Sequence, residues 1–294
     1  MNEPLTLATV GFELVDDRTW QKTVHDRVFT FRELRTIDEL MLAERMQRDV
    51  MMIEAPDVIS ASFLAFMPDT GGFTLGAFEG DTEIAVAFSY GGFQYPEPFL
   101  YSDFMAVAPE VRSHGIGFEM KRLQALLARE RGFRSVRWTV DPLRAANARL
   151  NLERLGAVGI SYTRNKYGAH FAAGLYGGMP TDRLLLRWPL RTERSAERLL
   201  RDYVPHPDGS LDGVEEVSAK SVGAPQLVIT IPGDIDILVK TDFDAALRYR
   251  LETREKIELA FGAGYFVSGA ARSGQESRLL LEPAAMFEEP GADE

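Results

Sequence analysis

The 294-residue chain contains no cysteine. That removes disulfides, thiolate nucleophiles and cysteine metal sites from the range of functions. Histidine is almost as scarce, and its four copies, His25, His114, His170 and His206, show no metal-ligand spacing, so no metal site is expected. Basic side chains are outnumbered, 33 Lys and Arg against 44 Asp and Glu, for a net charge of −11. An acidic surface of this kind argues against nucleic acid as a partner, yet leaves room for a local basic pocket around a small anion. Also missing is any charge-free apolar run long enough to cross a membrane. The opening "MNEPLTLATVGFELVDD" lacks the basic region and apolar run of a signal peptide, so a soluble, cytoplasmic protein is expected. Low-complexity tracts and short repeats are absent as well. What is present is 45% hydrophobic residues, enough for one large domain or two ordinary ones.

The elements alternate. "RTIDELMLAERMQRDVMM" begins with Thr36 and Glu39 at capping-box spacing and predicts a helix from Ile37. Two β-rich runs, Phe73 to Phe78 and Ile84 to Tyr90, flank the turn residues Glu79, Gly80 and Asp81, the pattern of a hairpin. "FLYSDFMAVAP" is a further strand. After it Ile116, Met120, Leu123 and Leu127 mark an amphipathic helix ending near Gly132. "SVRWTVDP" reads as a strand, "AANARLNLERLGA" as a helix closed by Gly156, and Leu184 to Leu190 as another strand. The Pro-, Gly- and acid-rich stretch that follows has loop composition. Beyond it come the strand "QLVITIP", a long helix capped by Thr241, the strands "YFVSGA" and "SRLLLEP", and an acidic tail, "FEEPGADE".

Between strand and helix stands "VRSHGIG", an Arg-x-x-Gly-x-Gly. Glycines at a helix start let the backbone approach a ligand, the first amides and the helix dipole favour an anion, and Arg112 adds a guanidinium. The same glycines would equally serve a plain strand-to-helix turn, and local features do not separate the two readings.

The succession strand, Arg-x-x-Gly-x-Gly, helix, strand, Asn-bearing helix, Leu-Gly resembles the GNAT acyltransferase superfamily. "VAPEVRSHGIG" has the Pro-Glu-x-Arg lead-in usual there, and no Lys-Ser/Thr follows the glycines as in a Walker loop. The segments "ERMQRDVM", "GGFTLGAF", "LYSDFMAVAPEVRSHGIGFEMKRLQ", "NARLNLERLGA", "NKYG", "PTDRLLLRW" and "AALRYRLETREKIELAFGAGY" are similar to the GNAT subgroup associated with N-acylamino acid racemases. The resemblance implies an α/β fold of GNAT type, a mixed, splayed central sheet flanked by helices. Residues 1–190 would form the acyl-CoA-binding core and 191–294 a C-terminal α+β extension. It implies an N-acyltransferase with acyl-CoA, acetyl or succinyl, as cosubstrate and no permanently bound cofactor. The acceptor would be a small amine, notably an amino acid. Acylation of a protein lysine or N-terminus, or a non-catalytic acyl-CoA-binding module, are the rival readings. The oligomeric state stays open, a homodimer being one option.

By the same resemblance the pantetheine arm would lie along Met105, Ala106 and Val107. The diphosphate would lie on the amides of Ser113, His114, Gly115, Ile116 and Gly117 beside Arg112, with Asn147 as a hydrogen-bond donor to the arm or a helix cap. Direct attack of an amine on a thioester needs a base for the amine, a polarised carbonyl and an acid for the thiolate. Asp103 is placed as the base, with Glu44 as substitute; a paired strand-end carboxylate is its structural alternative. The family's thiolate-protonating tyrosine is replaced here by Leu152, which leaves Tyr167, or water, for that step. Arg45, Arg164 and Arg183 are candidates to hold an acceptor carboxylate, or are ordinary surface arginines.

Overall fold

The computed structural model describes residues 5–168, 177–201 and 205–286, and the chain divides into two compact units, 1–137 and 138–294. The boundary expected at residue 190 lies inside the second unit. The acidic tail and His170 fall outside the described residues.

The first unit is built on an antiparallel run of strands in chain order: β1 (Glu13–Asp16), β2 (Thr19–Val24), β3 (Arg27–Leu34), β4 (Phe73–Glu79), β5 (Thr82–Gln94) and β6 (Glu97–Val107). The start of β7 (Ser135–Val140) then joins β6 in parallel. Helix α1 (Ile37–Asp49) has the capping box read from Thr36 and Glu39. It packs with the short α2 (Ala61–Leu64) over one sheet face, where Leu34, Leu40, Met46, Phe78, Val86, Phe88 and Ala106 share a core. Helix α3 (Ile116–Glu130) packs against β4, β5 and β6. Because Met105 and Val107 alternate with Ala106 along β6 and lie beneath Gly117, α3 occupies the opposite face.

The strands β1 to β3 carry no glycine-based turn signal. The β2–β3 hairpin turns on His25 and Asp26, both left-handed at φ 47° and 63°, a conformation normally given to Asn-Gly. That substitution hid the hairpin from sequence inspection.

The second unit holds a five-stranded antiparallel sheet in the order β9-β8-β11-β12-β10, formed by β8 (Val158–Thr163), β9 (Arg183–Pro189), β10 (Leu227–Pro232), β11 (Tyr265–Ser273) and β12 (Glu276–Pro283). Among the described residues its α-helices are α4 (Ala145–Ala148), α5 (Glu193–Leu200), α6 (Ile235–Thr241) and α7 (Phe243–Gly262). Two expectations are corrected. The helix of "AANARLNLERLGA" is α-helical only to Ala148 and continues as a π-helical turn, Arg149–Arg154. The long helix is capped by Asp242, whose Oδ1 accepts from the Ala245 amide at 2.9 Å; Thr241 instead ends α6.

Buried ion pairs organise this unit. Arg250 binds Asp141 with both terminal nitrogens at 2.8 and 2.6 Å, and Arg254 binds Asp182 at 2.8 and 3.0 Å. Asp182 also accepts from the Tyr162 hydroxyl, and this carboxylate together with burial pushes the Tyr162 phenol far up from its ordinary value.

Candidate active site

Strand β6 carries the site. It pairs with β7 over Phe99 to Tyr101 alone, so from Ser102 onward that edge has left its neighbour and the sheet splays. On the other edge Ser89 pairs with Ser102 and Phe88 with Phe104, which makes Asp103 the extra residue of a β-bulge. The bulge breaks the alternation at the start of the splay and leaves Asp103 exposed. Around it Phe104 stacks on Phe88 and Tyr101 on Tyr90, with ring centroids 5.0 and 5.3 Å apart.

Past Val107 the chain makes one tight turn, Pro109–Val111, and enters the glycine loop. Arg112 folds back, its Nε donating to the Val107 carbonyl at 3.1 Å, which ties the guanidinium to the end of the splayed strand. Ser113 and Gly115 are left-handed at φ 65° and 83°, and for Ser113 this is a strained conformation. Gly115 is the N-cap of α3, and no side chain caps that helix. The first-turn amides therefore point to an outside acceptor. Next to them, a Cβ on Gly115 would lie 3.8 Å from His25 Nε2 at the tip of the β2–β3 hairpin. His114 Nδ1 lies 2.9 Å from the Arg112 carbonyl and shapes the loop from within.

Beneath the loop Glu119 is clasped by Lys22 Nζ at 2.6 Å and Arg122 Nη1 at 3.2 Å, all three side chains being about nine-tenths buried. Burial pushes the Lys22 ammonium down from its ordinary value, against the pull of Glu119. Two residues after Glu119, Lys121 is buried and donates to Ser102 Oγ at 2.7 Å and Gln124 Oε1 at 3.1 Å. Sequence inspection passed over Lys121 because it lies inside an otherwise amphipathic pattern. No signal in the sequence marks it, because the burial of nearly all of α3, its charged residues included, follows from packing in the fold.

Residues 39–157 match the acetyltransferase (GNAT) family. This stretch, less than half of the chain, is similar to GNAT acetyltransferases. The splayed mixed sheet with its helices fits a GNAT fold, and the protein is an N-acyltransferase with acyl-CoA as cosubstrate. No curated protein matches the chain. Among solved structures, the ribosomal-protein-S18-alanine N-acetyltransferase of Escherichia coli is 17% identical, with 56% of this chain and 95% of that one covered at a TM-score of 0.43. The protein yncA of Salmonella typhimurium, solved with its cofactor acetyl-CoA, is 13% identical, covering 56% and 95% at a TM-score of 0.44. Arabidopsis thaliana Naa50, in complex with a CoA-Ac-MVNAL bisubstrate analogue, is 12% identical, covering 54% and 97% at 0.43.

Within the first unit the structure brings Asp103, Met105, Ala106, Val107 and the Arg112 to Gly117 loop onto one strand and its exit. Glu44 is otherwise engaged: one oxygen accepts from the Ala61 amide at 2.6 Å at the start of α2, and the other pairs with Arg48 at 2.9 Å. Arg45 lines a cavity of about 400 Å³ with Arg32, Asp49 and Glu83. In the β5 register Glu83 stands six residues from Ser89, the partner of Ser102. That is about 20 Å along the strand, so this cavity lies well away from the Asp103 bulge. Burial pushes the Glu83 carboxyl up to about 7, with Arg45 and Arg32 opposing.

In the second unit Asn147 is exposed in the third position of α4, whose N-cap is Arg144, so it caps nothing. Leu152 is 1% exposed and packs in the core. The Tyr167 hydroxyl lies 2.9 Å from Thr139 Oγ1, and Arg183 stands over its ring at 5.1 Å. Arg183 is buried and donates to the Asp182 carbonyl at 2.9 Å. Arg164 makes a bidentate pair with Glu258 at the surface. Among the described residues no helix is long and apolar enough to cross a membrane, and no group of three acidic or histidine side chains could hold a metal ion.

Proposed function

We propose that the protein N-acylates a small primary amine, a free amino acid, by direct attack of the amine on an acyl-CoA thioester, with succinyl-CoA favoured over acetyl-CoA. The observation that carries this reading is the Asp103 bulge at the point where β6 leaves β7, on the same strand that runs into the uncapped α3 terminus. From Asp103 to Val107 is about 13 Å of extended backbone, and the diphosphate loop follows it directly. The adenine-bearing end of coenzyme A is then held at the loop by backbone amides and Arg112. Its arm follows Val107, Ala106 and Met105, and the thioester arrives beside the carboxylate.

In this reaction the ammonium form of the acceptor first loses a proton, taken up by Asp103 directly or through water. The amine nitrogen then attacks the carbonyl carbon, the C–S bond breaks with its electron pair on sulfur, and the proton that nitrogen sheds as the amide forms passes through water to the departing thiolate. Asp103 supports this role as the exposed carboxylate on the splayed strand, whereas Glu44 accepts from the Ala61 amide and pairs with Arg48. The half-buried Phe104 and the stacked Tyr90–Tyr101 pair, on β5 and β6 around Asp103, supply apolar surface for an acceptor side chain. The amino-acid acceptor and the succinyl donor are supported by the sequence resemblance to GNAT proteins associated with N-acylamino acid racemases. We also propose that the functional core runs from residue 1 to 190, with 191–294 as an extension of it.

The test is the specificity constant for an apolar amino acid against its amide, with succinyl-CoA and acetyl-CoA in turn. A site that pairs a cationic group with the acceptor carboxylate leaves that group uncompensated by the amide, a loss of roughly 2 to 5 kcal/mol. The amide should therefore be a poor acceptor. Equal constants for acid and amide would refute the amino-acid reading, and preferential labelling of a protein substrate would replace it by protein acylation.

A further inference from the structure

The cavity of about 400 Å³ that lies away from the Asp103 bulge is bordered by the last two turns of α1 and by the far end of the β4–β5 hairpin, all within the first unit. Helix α1 supplies Leu42, Arg45, Met46 and Asp49, whose spacing of three, four and seven places them on one stripe. Opposite stand Phe78 and Glu83, direct partners across β4 and β5 and therefore on one sheet face. Arg32 of β3 is fixed beside them, its guanidinium 4.8 Å from the centre of the Phe78 ring and its Nε 3.5 Å from Glu39.

Charges of both signs share this cavity without closing on each other. Among the described residues the side chains of Arg45 and Glu83 make no hydrogen bond and no ion pair, and Glu83 Oε1 is shut off from solvent with no donor. Burial pushes the Glu83 carboxyl up to about 7, and Arg45, then Arg32, pull against it as charges at a distance. A half-buried carboxylate without a donor is costly, and a guanidinium that lines the same cavity without reaching it leaves room between the two. That gap suits a molecule that brings an ammonium to the acid and a carboxylate to the guanidinium.

We propose that this cavity binds a free α-amino acid with an apolar side chain, as a site separate from the acyl-transfer centre. The ligand carboxylate pairs with Arg45 and its ammonium lies against Glu83, with Asp49 and Asp81 adding negative potential, while its side chain packs on Leu42, Met46 and Phe78. The volume is near the lower end of the roughly 300 to 1,000 Å³ that ligand sites span, which suits an amino acid and excludes coenzyme A. At about 20 Å along β5 from the partner of Ser102, one molecule cannot occupy both this cavity and the Asp103 site. Arg45, expected at the acceptor carboxylate, serves a carboxylate here instead. The inference does not depend on the acceptor reading above, and it stands whether or not the enzyme acylates amino acids.

The site has a pH signature. The charged groups that face Glu83 are Arg32 from β3, Arg45 and Asp49 from α1, and Asp81 from the hairpin turn. The arginines stay charged throughout, and an ammonium binds only the ionised Glu83. With the carboxyl at about 7 in the empty site, about one molecule in ten is ionised at pH 6 and about nine in ten at pH 8, so affinity should rise about tenfold between them.

The experiment is equilibrium dialysis with radiolabelled L-leucine and L-methionine on the wild-type protein, Arg45→Met, Glu83→Gln and Asp103→Asn. Wild type should bind saturably and about tenfold more tightly at pH 8 than at pH 6. Arg45→Met should weaken the binding by at least about tenfold, the loss of one charge-assisted contact. Glu83→Gln should weaken it and abolish the pH dependence, while Asp103→Asn keeps it. L-leucinamide, which lacks the carboxylate, and N-acetyl-L-leucine, which lacks the ammonium, should each compete at least about tenfold less well than L-leucine. The near-isosteric Glu83→Gln carries the test should Arg45→Met fail to fold. No saturable binding of either amino acid, affinities unchanged in folded Glu83→Gln, loss in Asp103→Asn alone, or N-acetyl-L-leucine competing as well as L-leucine would overturn the site. Failure of the enzyme to acylate amino acids would sink the acceptor reading and leave this one intact.

Discussion

Gly117 gives a prediction in which the effects on stability and on ligand binding have opposite signs. A Cβ there would meet only Met105 Cε and Val107 Cγ2, each at 3.7 Å, which is ordinary van der Waals contact, so a side chain fits without displacing backbone. The position lies in the first turn of α3, where no side chain caps the helix. Gly117→Asp places a carboxylate near the positive end of the helix dipole, an effect worth about 0.3 to 1 kcal/mol in favour of the unliganded fold. The same carboxylate repels a bound diphosphate. At a separation of about 5 Å and an effective dielectric of about 20, one such charge against one phosphate charge costs about 3 kcal/mol. Exposure of the loop to solvent trims this, so the expected loss is about 2 to 3 kcal/mol, or roughly 30- to 150-fold in Kd. Calorimetric titration with coenzyme A reads the loss directly, pantetheine, which lacks the diphosphate, should bind both proteins alike, and added salt should narrow the difference. The melting temperature of the unliganded variant should be unchanged or slightly raised. Unchanged coenzyme A affinity in folded Gly117→Asp would refute the placement of the diphosphate, and an equal loss for pantetheine would show that the loop had merely been deformed.

Removing one member of a buried ion pair leaves the other unpaired, so Arg250→Met, which strands Asp141, should destabilise the protein by about 3 to 5 kcal/mol in chemical denaturation; a change under about 1 kcal/mol would contradict the reading. For Glu39, burial raises the carboxyl, but the Arg18 guanidinium and the Arg35 and Thr36 amides outweigh it and hold the group down at about 2. Its folded value lies below its unfolded one, so its stabilisation is complete above about pH 5 and is lost as the pH falls toward about 2. Glu39→Gln should flatten the acid limb of a stability-against-pH curve in that window, and an identical limb would count against the pair.

Helix α1, the β4–β5 hairpin and α3 were legible because each announces itself locally: a capping box at Thr36 and Glu39, a turn at Gly80, a four-three-four apolar spacing from Ile116. The glycine loop was legible for the same reason, as was the acid on the strand before it. Other features depended on nonlocal facts. That Asp103 occupies a bulge follows from the pairing of Ser89 with Ser102, which no stretch of β6 encodes alone. Lys121 reads as one more polar residue of α3 until Ser102 is seen opposite it, and the ties of Glu44 to Ala61 and Arg164 to Glu258 join residues remote in sequence. The π-helical turn after Ala148 carries no proline or glycine that would have marked it.

The central claim is that this fold moves an acyl group from coenzyme A to an amine with Asp103 as the base. It is tested most directly by measuring thiol release together with the mass of the product, for acetyl-CoA and succinyl-CoA with a panel of D- and L-amino acids, in the wild-type enzyme and in Asp103→Asn. The account predicts amine-dependent thiol release matched one for one by N-acyl product, and a kcat lower by about 100-fold or more in Asp103→Asn at unchanged coenzyme A affinity. Full-rate turnover by Asp103→Asn at neutral pH, or thiol release that no amine stimulates, would contradict it.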